Sequence, residues 1–513
     1  MACSAIGASQ GGALTQLIAL GAADKYLSQN PSITFWRFRY NRYTNFAMEA
    51  IEQPFNTQVM FGSDTQLTFN RTGDLLFWTY VVIDLPGIFA CDNTSLNAQC
   101  PIPPGSGQPL VQTALFAPRY PGLSDDNFCD PCGDDPALLT GDSRGIGADG
   151  CCSYPEDVKA PWAHYTNAIG QWMIRRSSLV IGGQVIDTVY SDYLFMWEEL
   201  TGKPGKRLRE MIGKDSCLRN LVEDSARDRR LYIPLPFWFT QTSGNALPVV
   251  SLQFHGIQLH VCFAELTTAI QTSCTPTFET GTGGAFSGST PIVVLKSRNN
   301  TPLVEQDLRA LIESTYVYLD IDERDRFATG SFEQLITQVQ AYQICTRTCQ
   351  VRLSLNFNHP VIELMWAIRR NCQGSVNNWF CYSGKNCDDP IRMVSLKLNN
   401  LPRFAPKEGR YFRLVQPWQF HTNIPDNFVY CYSFAIHPEE AQPSGSCNFS
   451  RIDNIELTFD MQDQIDIPNP GLPSGPSSCN VPSNTGDFTA LVFARNWNVL
   501  RYREGLGGLA FSN

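Results

Sequence analysis

The chain has 513 residues, a formal net charge of −10, and 43% hydrophobic against only 17% charged residues. That length exceeds one ordinary core, so two or more domains are expected, and the acidic balance excludes a surface that coats nucleic acid by electrostatics, so no direct nucleic-acid contact is expected. Aromatics at 12%, with 38 Gly and 33 Pro, favour sheets, turns and broad contact surfaces over a highly charged solitary monomer.

Residues 1–27 are small and apolar, with Leu14, Leu17 and Ile18 near helical spacing. They read as an arm that docks on something, and these three are interface candidates. The stretch Ile33–Phe55 opens on strict alternation, which predicts a strand over Ile33–Tyr40. Trp36, Phe38 and Tyr40 take one face of it, and Phe35, Arg37 and Arg39 take the other. Arg37, Arg39 and Arg42 are candidates for ion pairs to a neighbouring subunit, with a solvated strand edge an equal alternative. Further strands are expected at Gln58–Gly62, Gln66–Arg71 and Leu75–Leu85. Trp36, Phe38, Phe77 and Trp78 are core candidates.

From about 86 to 163 the periodicity stops and Gly, Pro, Asp and Cys dominate, which predicts a surface insertion. Strands resume at Gln171–Val180 and Gln184–Asp187, joined by a tight turn at Gly182-Gly183. Residues 192–221 are partly helical. Two strands, Leu231–Thr240 and Pro248–Phe263, close this half, with Phe237 and Phe239 facing one way and Trp238 the other. A Thr/Ser/Gly-rich stretch over 267–305 reads as a linker.

The second half predicts strands at Ser314–Asp320, Cys349–Phe357, Val361–Ile368, Met393–Leu398, Tyr411–Val415, Phe428–His437, Arg451–Asp460 and Phe488–Arg495. One amphipathic helix is expected near Phe332–Tyr342, and long loops at 371–390 and 462–487. The fold class is therefore all-β with long loop insertions and a few short helices. Strand-dense halves with irregular connections suit Greek-key sandwiches, of which the jelly roll is one.

No catalytic signature emerges. The six histidines form no H-E-x-x-H, and neither a phosphate-binding loop nor a G-x-S-x-G elbow is present. His255 and His260 stand five apart and point to opposite faces of a strand. Glu198-Glu199 and the acids at 320–323 read as solvated or salt-bridged. Cys129, Cys132, Cys151 and Cys152 are weak zinc candidates, because adjacent cysteines seldom both ligate one metal. Disulfides or free thiols are the favoured reading, and no cofactor is expected. Of the sequons, Asn93 in the insertion is the best glycan candidate and Asn70 the second. The first twelve residues carry no Lys or Arg, and no run approaches the roughly 18 apolar residues of a membrane span, which points to a chain kept in the cytosol.

Several blocks carry a resemblance: GGALTQLIALGAADKYLSQNP (Gly11–Pro31), ITFWRFRYNRYTNFAMEAIEQPF (Ile33–Phe55), DLLFWTYVVIDLP (Asp74–Pro86), TYVYLDIDERDRFA (Thr315–Ala328), PSGSCNFSRIDNIELTF (Pro443–Phe459) and NVLRYREGLGGLAFSN (Asn498–Asn513). In order and over nearly the whole chain, they resemble the major capsid proteins of nucleocytoplasmic large DNA viruses. The resemblance implies a double jelly roll: an arm over 1–27, a first jelly roll over 28–266, and a second over 306–513. It implies a non-enzymatic shell subunit that forms homotrimeric, pseudo-hexagonal capsomers. These would meet neighbouring capsomers, minor capsid proteins beneath the shell and surface glycans, in a virion assembled in the host cytoplasm. The alternatives are a minor capsid paralogue of the same fold, or a secreted carbohydrate-binding β-sandwich protein.

Overall fold

The computed structural model describes residues 10–32, 35–36, 40–92, 163–203, 205–215, 218–272, 293–297, 303–346, 348, 350–371, 377–384, 389–462 and 488–511. The chain divides into two compact units, Met1–Asn45 and Phe46–Asn513.

In the first unit two short helices, Gln10–Ile18 and Ala22–Ser28, follow each other. The second is capped by Asp24, whose carboxylate accepts the Gly21 N–H at 2.9 Å. The strand expected over Ile33–Tyr40 is not found among the described residues. Phe35 and Trp36 lie in a bend and are exposed, and residues 40–45 have no regular structure. Trp36 is therefore not a core residue; Phe38 lies outside the described residues. The extended pattern takes effect only from Phe46.

In the second unit the strands that build the sandwiches are numbered β1 to β16. The first eight are β1 (Phe46–Pro54), β2 (Asp64–Thr68), β3 (Leu75–Leu85), β4 (Ile174–Ile181), β5 (Gln184–Tyr190), β6 (Arg229–Pro234), β7 (Ile257–Phe263) and β8 (Arg309–Leu319). They form two antiparallel sheets, ordered β1-β8-β3-β6 and β2-β7-β4-β5. Side chains alternate along each strand, so one face of each sheet turns inward. Leu76, Val81, Ile83 and Ile312 from one sheet meet Leu67, Leu179, Leu259 and Val261 from the other in a single core.

The next eight are β9 (Phe332–Thr346), β10 (Gln350–Ser354), β11 (Pro360–Arg370), β12 (Ile391–Leu398), β13 (Leu401–Pro402), β14 (Tyr430–Ser433), β15 (Ile455–Met461) and β16 (Phe488–Arg503). Their sheets are ordered β9-β16-β11-β14 and β10-β15-β12-β13. Adding eight to each strand of the first sandwich reproduces the second. The strand order thus repeats where the sequence does not, and each half is a jelly roll.

Several expectations are corrected. The Phe332–Tyr342 stretch is not a helix but most of β9, pairing with β16 along its length. Tyr411–Val415 is not a strand; it is one wide helical turn running into the helix Gln416–Phe420. Strand β6 stops at Pro234, and Phe237, Trp238 and Phe239 at the start of a short helix are all buried, rather than alternating on two faces. Trp78 is 44% exposed and so is not core, whereas Phe77 is buried. Strand β8 follows the expected linker yet lies between β1 and β3, so the chain returns to the first sandwich before starting the second.

Other expectations match. Leu75–Leu85 is a strand with those bounds, and Gly182 and Gly183 turn the β4–β5 hairpin with φ of +58° and +84°, a region costly for side-chain-bearing residues. The end of the chain clasps the first sandwich: Phe254 N–H donates to the Gly505 carbonyl at 3.0 Å, and Leu509 N–H to Gln184 at 3.3 Å.

Candidate assembly surfaces

The two sandwiches meet at the outer face of one sheet of the second sandwich. Strands β11 and β16 are buried on both faces. Trp366, Val492 and Ala494 point into the second sandwich's own core, while Met365, Leu491 and Phe493 join the core of the first. The outer face of the β9-β16-β11-β14 sheet is therefore a contact surface. Against it lies the helix Ser191–Thr201, which follows β5 and precedes β6. Tyr193 packs on Phe493 with ring centroids 5.8 Å apart, and Phe195 stacks on Phe380 at 4.3 Å. Covered on one side by its own sandwich and on the other by this sheet, the helix buries nearly every residue.

Polar groups locked inside this joint fix its geometry. Arg369 donates to Asp192 at 2.9 Å, and the Tyr382 hydroxyl donates to the same oxygen at 2.9 Å. Lys214 bridges Glu198 and Glu199, so that acidic pair is salt-bridged as expected but buried rather than solvated. A second cluster centres on His421, whose Nε2 lies 3.0 Å from the Glu363 carboxylate and whose Nδ1 lies 3.1 Å from Glu439. Burial opposes its charge, but Glu363 beside it holds the imidazolium well above the usual histidine range. Arg495 lies 3.7 Å from Glu363 and stacks over the Trp197 ring at 4.4 Å.

Asp187 joins the sandwiches differently. Its Oδ1 accepts the backbone N–H of Thr188 at 2.9 Å and of Val339, on β9, at 3.0 Å. Burial pushes its carboxyl up to about 7, against the pull of those two N–H groups. The folded state thus holds this proton more tightly than the unfolded chain, whose value is near 3.8. The resulting stability is complete below about 3.8 and is lost as pH rises towards about 7. Asp187→Asn keeps the accepting oxygen and removes the charge. Its melting temperature relative to the parent is expected to rise between about pH 4 and about pH 8; parallel melting curves across that range would exclude this role.

Two apolar surfaces remain uncovered among the described residues. One is the β1 side of the outer face of the β1-β8-β3 sheet: Met48, Val317 and Leu75 are directly opposed across the strands, and Val317 is buried there with Phe77 and Ala246. There Phe46 and Met48 are each 51% exposed, and Trp78 stacks on Phe77 at 4.6 Å. The other is the helical stretch Tyr411–Phe420, which buries Phe412, Gln416 and Pro417 and turns Leu414, Val415 and Trp418 outward, Trp418 at 72%.

The candidates named from sequence are dispersed. Leu14, Leu17 and Ile18 are all exposed on the first helix of the Met1–Asn45 unit, and Arg42 is exposed. Arg37, Arg39, Asn93, Cys129, Cys132, Cys151 and Cys152 lie outside the described residues. Asn70 is exposed, with its carbonyl accepting the Tyr316 hydroxyl at 2.8 Å. Among the described residues no cluster of His, Cys, Asp or Glu could hold a metal ion. Sequence reasoning missed Asp192, Glu363, Arg369 and His421. A signal existed in Val361–Arg370, where Glu363 interrupts an apolar run that ends at Arg369 and Arg370.

Comparison with known proteins gives a consistent result. Residues 323–508 match the family model "Large eukaryotic DNA virus major capsid protein", and residues 34–104 and 145–294 match "Major capsid protein N-terminus". The major capsid protein of Pyramimonas orientalis virus is 30% identical over 529 residues, covering 98% of this chain and all of the relative. That of Paramecium bursaria Chlorella virus 1 is 29% identical over 537 residues, with 98% and 100% covered. The crystal structure of VP54 from PBCV-1 superposes with a TM-score of 0.63 at 25% identity, covering 94% of this chain and 100% of that one. The Faustovirus major capsid protein shares the fold, with a TM-score of 0.58 at 12% identity over 96% of each chain.

Proposed function

This chain belongs to the major capsid proteins of large eukaryotic DNA viruses, and from that premise we propose that three copies close into a pseudo-hexagonal capsomer that tiles an icosahedral shell. The observation that carries this reading is the strand order repeated at an interval of eight. Two like sandwiches per chain give six like lobes in a closed ring of three, and hexagonal blocks tile a facet. The relatives named above support it, since each is a major capsid protein. Sedimentation and negative-stain imaging of the purified full chain should give a trimer with a six-lobed outline. A monomer at every concentration would contradict it.

The subunit resides in the virion shell, self-assembled with neighbouring capsomers in the host cytoplasm, and it is structural rather than catalytic. Its arm, with Leu14, Leu17 and Ile18 exposed, ties the capsomer to neighbours or to minor proteins beneath the shell, and Arg37, Arg39 and Arg42 pair with a neighbouring subunit. Deleting residues 1–27 is expected to leave the trimer intact and to abolish shell assembly, scored by particle yield; undiminished yield removes the arm from this role. Asn93 and Asn70 are the candidate glycan sites. Cys129, Cys132, Cys151 and Cys152 are thiols or disulfides before they are a zinc site.

A further inference from the structure

We propose that Lys214 and Glu199 join covalently: once the two sandwiches have docked, the Lys214 amine attacks the Glu199 side-chain carboxyl and leaves an amide bond inside the joint. Every group involved belongs to one chain, so the step is independent of how copies associate.

The joint assembles what an unaided amide-forming step needs. Glu199 stands on the helix Ser191–Thr201, and its side chain is only 2% exposed. Its Oε1 is the ion-pair partner of Lys214 Nζ, which sets the nitrogen against an atom one bond from the carboxyl carbon. Its Oε2 accepts the backbone N–H of Asp426 at 3.1 Å and of Asn427 at 3.3 Å. Two N–H groups on one oxygen stabilise the charge that gathers there when the carbon becomes tetrahedral. A second carboxylate, Glu198 Oε2, lies 3.4 Å from Nζ and is placed to carry a proton. The Phe195 ring lies 4.8 Å from Nζ, and the 17% exposure of the lysine side chain leaves a way out for water.

The nucleophile and the two N–H donors are held from opposite sides of the joint. Lys214 follows the short helix Arg209–Ile212 and the turn at Gly213, and its N–H donates to the Arg209 carbonyl at 2.9 Å. The donors come from the segment between the helix Gln416–Phe420 and β14. That segment is pinned on Glu199's helix: Asn423 N–H donates to the Leu200 carbonyl at 2.9 Å and its side-chain amide to the Glu199 carbonyl at 2.8 Å. Arg207 adds an ion pair to Asp426 at 2.7 Å. The site is therefore complete only when the second sandwich is in place, which makes the bond a mark of correct docking.

The step balances without a co-reactant. The ammonium passes one proton to Glu199 Oε1. The freed lone pair forms the Nζ–Cδ bond, and the carbonyl π pair moves onto Oε2. Glu198 takes a second proton from the nitrogen and delivers it to Oε1, which leaves as water while the carbonyl re-forms. One ammonium and one carboxylate become one neutral amide and one water, once per chain and with no turnover. Exclusion of water favours this product, since a neutral amide is cheaper to bury than two charges.

The test is the mass of the full chain, denatured and with its thiols reduced and alkylated. It is expected to be lighter than its sequence by one water, and digestion should give a branched peptide joining Lys214 to Glu199. Lys214→Arg keeps a cation beside both acids but no amine able to complete the step, so it should show the full sequence mass. Glu198→Gln should form the bond about a hundredfold more slowly, so freshly made protein should retain the full mass. A parent at full mass, with Lys214 and Glu199 in separate unmodified peptides, would leave an ordinary ion pair and overturn the proposal. So would a water loss that maps to other residues or persists in Lys214→Arg. Glu198→Gln protein that cross-links as fast as the parent would remove the proton-carrying role of Glu198. The parent's own mass decides the main point, whether or not a variant folds.

Discussion

Asp192→Ala is expected to destabilise the Phe46–Asn513 unit by about 3–5 kcal/mol, among the largest effects of any single change in this chain. Both partners of the Asp192–Arg369 pair are nearly inaccessible, with side-chain exposures of 9% and 8%. Deleting the carboxylate strands a guanidinium in the joint, which among the described residues keeps the Trp379 carbonyl at 3.3 Å and the Trp379 ring. The Tyr382 hydroxyl loses its acceptor as well. The cost comes from the uncompensated charge, not from an intrinsically strong pair. Asp192→Leu combined with Arg369→Met should therefore recover most of the loss, because an apolar pair of similar volume needs no desolvation. Denaturant unfolding of the two single variants and the double variant makes this a closed cycle. Additive losses in the double variant would mean that the pair is not coupled.

Trp366→Ala is the second large effect, about 3–5 kcal/mol. Trp366 is 1% exposed at the centre of the second sandwich. Its ring lies 5.4 Å from Phe412, 5.9 Å from Phe459 and 6.2 Å from Tyr430, so truncation opens a cavity walled by aromatic rings that cannot all collapse inward. Among the described residues the indole N–H has no hydrogen-bond partner. Trp366→Phe should then cost much less, since only volume is lost and no bond is broken. A calorimetric scan separates the cases. Equal shifts for Ala and Phe would show that the polar edge of the ring, and not its bulk, was what mattered.

The positions of the two variants bear on what the sequence reveals. Leu75–Leu85 could be read directly because its pattern is local: β-branched and aromatic residues in a run bounded by Gly73 and Pro86. The all-β class and the pair of jelly rolls were legible for the same reason, helped by the family blocks. Phe332–Tyr342 was not. Its apolar residues at 332, 335, 336 and 339 fall at helical spacing, yet pairing with β16 over the whole strand outweighs that preference. Trp78 failed as a core candidate because residue type alone does not say which side of a sheet is covered, and Trp36 because the strand expected around it is not found among the described residues. The joint was illegible for a deeper reason. Asp192 and Arg369 are 177 residues apart, and no local pattern encodes a contact made by one sandwich with the outside of another. The loop expected at 371–390 shows the same limit: Phe380, Cys381 and Tyr382, read only as part of a long loop, are buried.

The placement of β8 has a consequence for synthesis. Strand β1 pairs with β8, and β8 with β3, so among the described residues the strand at residues 46–54 has no sheet neighbour until residues 309–319 exist. On the ribosome, well over half the polypeptide must emerge while an apolar ribbon and the open edge of its future neighbour wait unsatisfied. Such edges recruit other chains, and contacts this distant along the chain form slowly. Nascent copies crowded on one message are thus held apart less by their finished shape than by whatever shields that ribbon in the interval.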